Sequence, residues 1–109
     1  MQALAEHCGA SLYNRKGVMH GRTVQLENIK PSILLNGLEA KTVGLYHSWA
    51  VNAESLGEDW CICATAMDDF APMVMENSQK KAFAVQFHPE SILTTDGFKV
   101  IDNWVKTIA

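Results

Sequence analysis

The 109 residues amount to one small domain, and 48 % hydrophobic against 19 % charged residues is the balance of a globular chain rather than a disordered one. A net charge of −3, with acidic and basic residues interspersed, lacks the basic stripe of a nucleic-acid binder, and no apolar run reaches the length of a membrane span. No basic stretch followed by an apolar one marks a secretory signal, and three cysteines without framework spacing fit reduced thiols in a cytoplasmic protein.

Met1 to Leu12 is rich in helix formers, and Leu4, Cys8 and Leu12 recur every four residues, which predicts a helix with Cys8 on its buried side. Gly9 ends or breaks it. No Ser, Thr, Asp or Asn precedes the helical pattern as a cap, which is how a chain cut inside a helix looks. Val24, Leu26 and Ile29 predict a half-buried strand across 23–29, and Pro31 to Leu38 a short helical turn closed by Asn36-Gly37. Thr42 to Val51, dense in β-branched and aromatic residues, predicts one strand. After the polar loop 52–59, Trp60 to Ala66 reads as another. Pro72–Glu76 and Ala82–Phe87, joined by the polar turn 77–81, predict a hairpin whose second strand ends at His88. Thr95 to Ala109 closes the chain as a helix capped by Thr95 or Asp96. Its apolar stripe is Phe98, Ile101, Val105 and Ile108, with Trp104 on the flank.

The residues that point to chemistry follow the hairpin: Val85-Gln86-Phe87-His88-Pro89-Glu90-Ser91. Two residues apart on an extended backbone share a face, so the Glu90 carboxylate would sit beside the His88 imidazole, with Pro89 stiffening the link. A histidine oriented by an acid is two-thirds of a nucleophilic triad. A histidine that merely satisfies a hydrogen bond at a strand end is the competing reading. The third member is missing. Cys61 and Cys63 share one face of an apolar strand, where packing is the default role, and Cys8 lies on the expected buried side of the first helix. None of the three stands in a Gly-x-Cys-x-Gly turn. Cys61 and Cys63 with His7, His20 or His47 would make a zinc site only with a second paired element, which the sequence lacks, so no metal is expected. Tyr46-His47-Ser48-Trp49 is a second polar–aromatic cluster, readable as a strand with its polar side in water.

Taken together these stretches resemble the C-terminal portion of a class I glutamine amidotransferase domain. Phe87-His88-Pro89-Glu90-Ser91-Ile92-Leu93 is similar to the segment that carries that family's triad histidine and glutamate. Val18-Met19-His20-Gly21-Arg22-Thr23 and Tyr46-His47-Ser48-Trp49 resemble segments of the glutaminase subunits of anthranilate synthase and of its relative for p-aminobenzoate synthesis. Gln2-Ala3-Leu4-Ala5 resembles the helix that follows the nucleophile elbow.

The resemblance implies an α/β fold, an open flavodoxin-like sheet with flanking helices, to which residues 1–109 supply the later strands, the hairpin and the last helix. It implies that the elbow cysteine would lie four positions before Gln2, outside these residues. It assigns His88 to proton transfer and Glu90 to orienting it, and it implies that Gln2, Ser48 and the backbone of Trp49 hold the glutamine substrate. Glutamine would be hydrolysed to glutamate, and the ammonia passed to a chorismate-using synthase partner, without metal or organic cofactor. Anthranilate synthesis is favoured over aminodeoxychorismate synthesis by the Tyr-His-Ser-Trp segment. A non-catalytic remnant that only binds a synthase is the alternative. On either reading the chain alone is expected to be inactive as a glutaminase and, with part of a core uncovered, to associate with itself.

Overall fold

The structure, a computed structural model, describes residues 1–14, 22–46, 49–77 and 79–108. Its helices are α1 (Gln2–His7) and α2 (Gly97–Ile108). Its strands are β1 (Leu12–Asn14), β2 (Arg22–Asn28), β3 (Thr42–Leu45), β4 (Trp49–Val51), β5 (Cys61–Ala66), β6 (Pro72–Asn77) and β7 (Ala82–Val85). Five strands form one sheet in the order β3-β2-β5-β6-β7, every neighbouring pair antiparallel, while β1 and β4 form a separate antiparallel ribbon.

The predicted hairpin is present: Val74 faces Val85 and Asn77 faces Ala82. Strand β6 is buried along its whole length, as befits a strand flanked on both sides and covered on both faces, and its proline takes the first position, where no ladder donor is lost. On β2, buried Val24 and Leu26 alternate with exposed Thr23, Gln25 and Glu27, the half-buried pattern expected. Ile29 lies past the end of that strand and is exposed.

The sheet's two edges meet. The backbone N–H of His88, three residues beyond β7, donates to Gly44 O on β3 at 3.1 Å, and Thr95 N donates to Thr42 O at 3.2 Å. Segment 88–95 thus runs beside the far edge strand, so the sheet is curled rather than flat. Inside the curl lies the larger core, including Leu26, Leu34, Val43, Leu45, Met73, Phe87 and Val100. A smaller core of Ala5, Ala10, Val51 and Met75 joins α1 and the ribbon to the other face.

Several expectations change. Helix α1 has no side-chain cap, but it stops at His7 in a Schellman arrangement, with Ala10 N on Ala5 O (2.9 Å), Gly9 N on Glu6 O (3.0 Å) and Gly9 at φ 88. The Leu4–Cys8–Leu12 repeat therefore spans a helix, its cap and a strand, and Cys8 is exposed rather than buried. The single strand predicted over 42–51 is two strands in different sheets. The short turn expected over Pro31 to Leu38 is present, with Gly37 at φ 76; Ser32 Oγ accepts from Leu35 N at 3.2 Å, and the buried Glu76 carboxylate accepts from Ser32 Oγ and from Ile33 N. Asp96 does not cap α2; its Oδ2 accepts from Glu39 N (3.0 Å) and Ala40 N (2.9 Å), tying the helix start to another loop.

Helix α2 differs most from expectation. Its apolar stripe exists, but Phe98, Ile101, Trp104, Val105 and Ile108 are all exposed, and only Gly97 and Val100 are buried. Asn103 holds the helix to the turn before β3, donating to Leu34 O at 2.8 Å and Asn36 O at 2.9 Å. No helix among the described residues is long and apolar enough to cross a membrane.

Candidate active site

Strand β7 ends at Val85, and Gln86 N still bonds to Met73 O (2.8 Å), so the hairpin delivers its last residues to the open rim of the sheet. His88 stands beyond the strand, and Pro89-Glu90 form a turn closed by Ser91 N on His88 O at 3.1 Å. The expected extended link between His88 and Glu90 is therefore a turn. Proline pre-sets φ for the second position of such a turn, and the turn folds the carboxylate back onto the ring. Glu90 Oε1 lies 3.2 Å from His88 Nδ1, the histidine one-third exposed and the glutamate mostly exposed. So open a pair adds at most about 1 kcal/mol to stability. What it does is fix the ring: a carboxylate at Nδ1 favours the tautomer with its proton there and the acceptor lone pair on Nε2.

The turn is held by short polar ties rather than by an apolar cluster. The Thr94 hydroxyl donates to His88 O (2.6 Å) and accepts from Gly44 N (2.8 Å), joining the histidine's backbone to β3. Ser91 Oγ accepts from Leu93 N (3.1 Å) and pairs with the Tyr46 hydroxyl (3.0 Å). The Tyr46 ring stands edge-on to the imidazole, centroids 4.9 Å apart with the planes at 88°. Two glycines allow the approach. A Cβ on Gly44 would lie 2.9 Å from Leu93 Cβ, and one on Gly97 would lie 1.8 Å from the carbonyl oxygen of Pro89. The start of α2 is thus seated directly on the turn.

His88 lines a cavity of about 300 Å³ with Met1, Gln2, Ala3, Val85, Gln86 and Phe87. Gln2 Nε2 donates to the backbone oxygen of Trp49 at 2.9 Å. Four of the five residues singled out from sequence therefore converge: Gln2 and His88 share the cavity, Glu90 orients His88, and Trp49 is bonded to Gln2. Ser48, and His47 before it, lie outside the described residues. So do Val18 to Gly21, most of the segment Val18 to Thr23. Gln86 Oε1 is a buried acceptor with no partner among the described residues, on the wall of the same cavity.

No cysteine adjoins this cavity. Cys63 is buried in the larger core, where burial, and then the Glu76 carboxylate, push its thiol up to about 12. Cys61 lies beside it on β5. Cys8 is exposed at the far end of α1, roughly 9 Å along the axis from Gln2. Among the described residues no three His, Cys, Asp or Glu side chains gather as metal ligands.

The Tyr46, Ser91 and Thr94 ties are not individually legible in the sequence. The signal was present in the Tyr-His-Ser-Trp cluster, whose tyrosine touches His88 instead of facing water; the Ser91 and Thr94 bonds depend on the sheet's curl, which local patterning does not encode.

The glutamine amidotransferase class-I family model matches residues 1–108. The anthranilate synthase component 2 of Lactococcus lactis is 35 % identical over 108 residues, covering 98 % of this chain and 54 % of the relative. The aminodeoxychorismate synthase component 2 of Serratia marcescens is 30 % identical over 107 residues, covering 95 % and 56 %. Among solved structures, a GMP synthase protein from Thermoplasma acidophilum superposes with a TM-score of 0.83 at 24 % identity, over 96 % of this chain and 51 % of that one. The chain thus spans about half the length of the relatives it matches.

Proposed function

The chain belongs to the class-I glutamine amidotransferase family, and from that premise we propose that it is the proton-transfer half of a glutaminase that feeds ammonia to a chorismate-using synthase. The observation that carries the reading is the His88–Glu90 pair, 3.2 Å apart at the mouth of a cavity that Gln2 also lines.

In this reading a cysteine on a segment outside the 109 residues attacks the side-chain amide of glutamine. His88 Nε2 takes the thiol proton and returns it to the departing ammonia. Glu90 holds the tautomer and stabilises the imidazolium that forms between those steps. Gln2 and the Trp49 backbone, already joined by a hydrogen bond, form one wall for the substrate, and Ser48 is assigned to the same task. Residues 1–109 are then the C-terminal portion of an amidotransferase domain, and neither metal nor organic cofactor enters the half-reaction. The relatives' names span anthranilate and aminodeoxychorismate synthesis. The Tyr46-His47-Ser48-Trp49 segment favours the former, with a component I-type synthase as partner.

The test has two arms. The 109-residue chain alone should release no ammonia from glutamine above background; steady turnover by it would overturn the assignment of the nucleophile. Joined to the remaining half of the Lactococcus lactis relative, it should form an active glutaminase that His88→Asn abolishes. A joined protein that folds and turns over equally well with His88→Asn would refute the role of the histidine.

A further inference from the structure

Strand β5 carries a feature that the glutaminase reading does not use. Successive residues in a strand rise about 3.3 Å, so side chains two apart on a regular strand are spaced by ~6.6 Å. The sulfurs of Cys61 and Cys63 are 3.7 Å apart. The cause is a bulge. Ile62 faces Met75 and Ala64 faces Val74, which leaves Cys63 as an extra residue without a place in the register. A bulge of this kind re-aims its side chain. Here the backbone is pinned from the other flank, since the Cys63 carbonyl accepts from both Ile29 N (2.9 Å) and Lys30 N (3.2 Å).

We propose that Cys61 and Cys63 are a dithiol site that closes to an intramolecular disulfide by exchange with a small-molecule disulfide of the glutathione class. Cys61 is half-buried and so partly within reach of a reagent, whereas Cys63 is 1 % exposed. The Cys61 thiolate attacks one sulfur of the reagent and breaks its S–S bond, releasing the first thiolate, which takes up the proton that Cys61 gave. The reagent's other half is then bonded to Cys61, within reach of the Cys63 sulfur. Cys63 gives up its proton, attacks the Cys61 sulfur and expels the second half as a thiol. Two protein thiols lose two protons and two electrons, and one disulfide becomes two thiols. Burial, which holds the Cys63 thiol protonated up to about 12, makes Cys61 the first attacker and Cys63 the resolving group. Cys63 Sγ already lies against its partner, 3.7 Å from Cys61 Sγ and 3.8 Å from Cys61 O.

Cys8, an exposed thiol at the end of α1 with no cysteine neighbour, is the internal comparison. The full chain is equilibrated in buffers of rising oxidised-to-reduced glutathione, quenched with an alkylating agent and mapped by mass spectrometry. Cys61 and Cys63 should lose alkylation together, at one midpoint, in a peptide lighter by two hydrogens and bearing no glutathione, while Cys8 retains a glutathione adduct. In Cys63→Ser, Cys61 should stop at the mixed disulfide. In urea the ratio of closed to open form at the same buffer ratio should fall at least tenfold, a shift of about 30 mV for a two-electron couple. Independent midpoints for the two thiols in the wild-type chain, glutathione retained on Cys61, or an unchanged midpoint in urea would each overturn the proposal. The wild-type and urea arms stand even if Cys63→Ser fails to fold.

Discussion

The turn that carries His88 and the helix that begins at Gly97 lie close in sequence and differ in what their residue patterns promise. The turn is fixed by directional polar ties, with Thr94 relaying between Gly44 N and His88 O and Ser91 linking to Tyr46. The helix has the apolar stripe that ought to hold it, yet shows most of that stripe to solvent and is moored at Gly97, Val100 and Asn103. Directional bonds specify where an atom sits, which is what the proton transfer proposed for His88 would need. Apolar periodicity states which face a helix would bury, without stating what buries it.

The sharpest way to break the comparison is through the chemistry the turn would support. In the joined protein described above, His88→Asn should lower kcat by about 10² to 10⁴, the usual contribution of a positioned acid–base group, with the melting temperature little changed because the histidine is part-exposed. Glu90→Gln should retain more activity than His88→Asn and lose it mainly in kcat. Equal kcat in wild type and His88→Asn would reduce the turn to a structural device.

Next in size is Gly97→Ala, which strikes where the two regions meet. The added Cβ would be placed 1.8 Å from Pro89 O, a backbone atom with no rotamer to escape into. Either the helix start or the turn must move, and we expect a loss of about 3 kcal/mol or more in urea unfolding, the upper range for overpacking. A loss under ~1 kcal/mol would mean that α2 is not seated on the turn as described.

How much of the molecule is legible in its sequence follows the same division. The hairpin, the β2 alternation, the terminal helix and the His88–Glu90 pairing are readable because each depends on near neighbours in the chain. Even the pairing arises differently from expectation, since a proline turn and not an extended link brings the two side chains together. Cys8 departs from its expected burial because its repeat crosses the Gly9 stop. The curl of the sheet, which brings β3 to the His88 turn, depends on contacts more than forty residues apart, and no local pattern announces it. For α2 the period is right and the conclusion of burial is not.

Thr94→Val sharpens the comparison from the turn's side. The side chain keeps its shape and loses its hydroxyl, so buried Gly44 N is left without its acceptor and His88 O loses the Thr94 donor. The cost should be about 1–3 kcal/mol, with Thr94→Ser restoring most of it. If Thr94→Val is neutral, the polar relay is ornamental and packing around Phe87 and Val100 holds the turn instead.

The smallest effect tests the helix. Phe98 is the largest apolar side chain on α2's N-terminal turn and is 90 % exposed, while Val100, two residues on, is 3 % exposed. Burial and not hydrophobicity sets the cost of truncation, because only a side chain already removed from water has transfer free energy to lose. Phe98→Ser should therefore shift stability by no more than about 0.5 kcal/mol, against about 2 kcal/mol for the chemically milder Val100→Ala. Phe98→Ser should also raise the monomer fraction on size exclusion, since it removes apolar surface from a face that Ile101, Val105 and Ile108 extend. A large loss for Phe98→Ser with no change for Val100→Ala would mean that the helix is turned the other way, its stripe packed and its short mooring face in water.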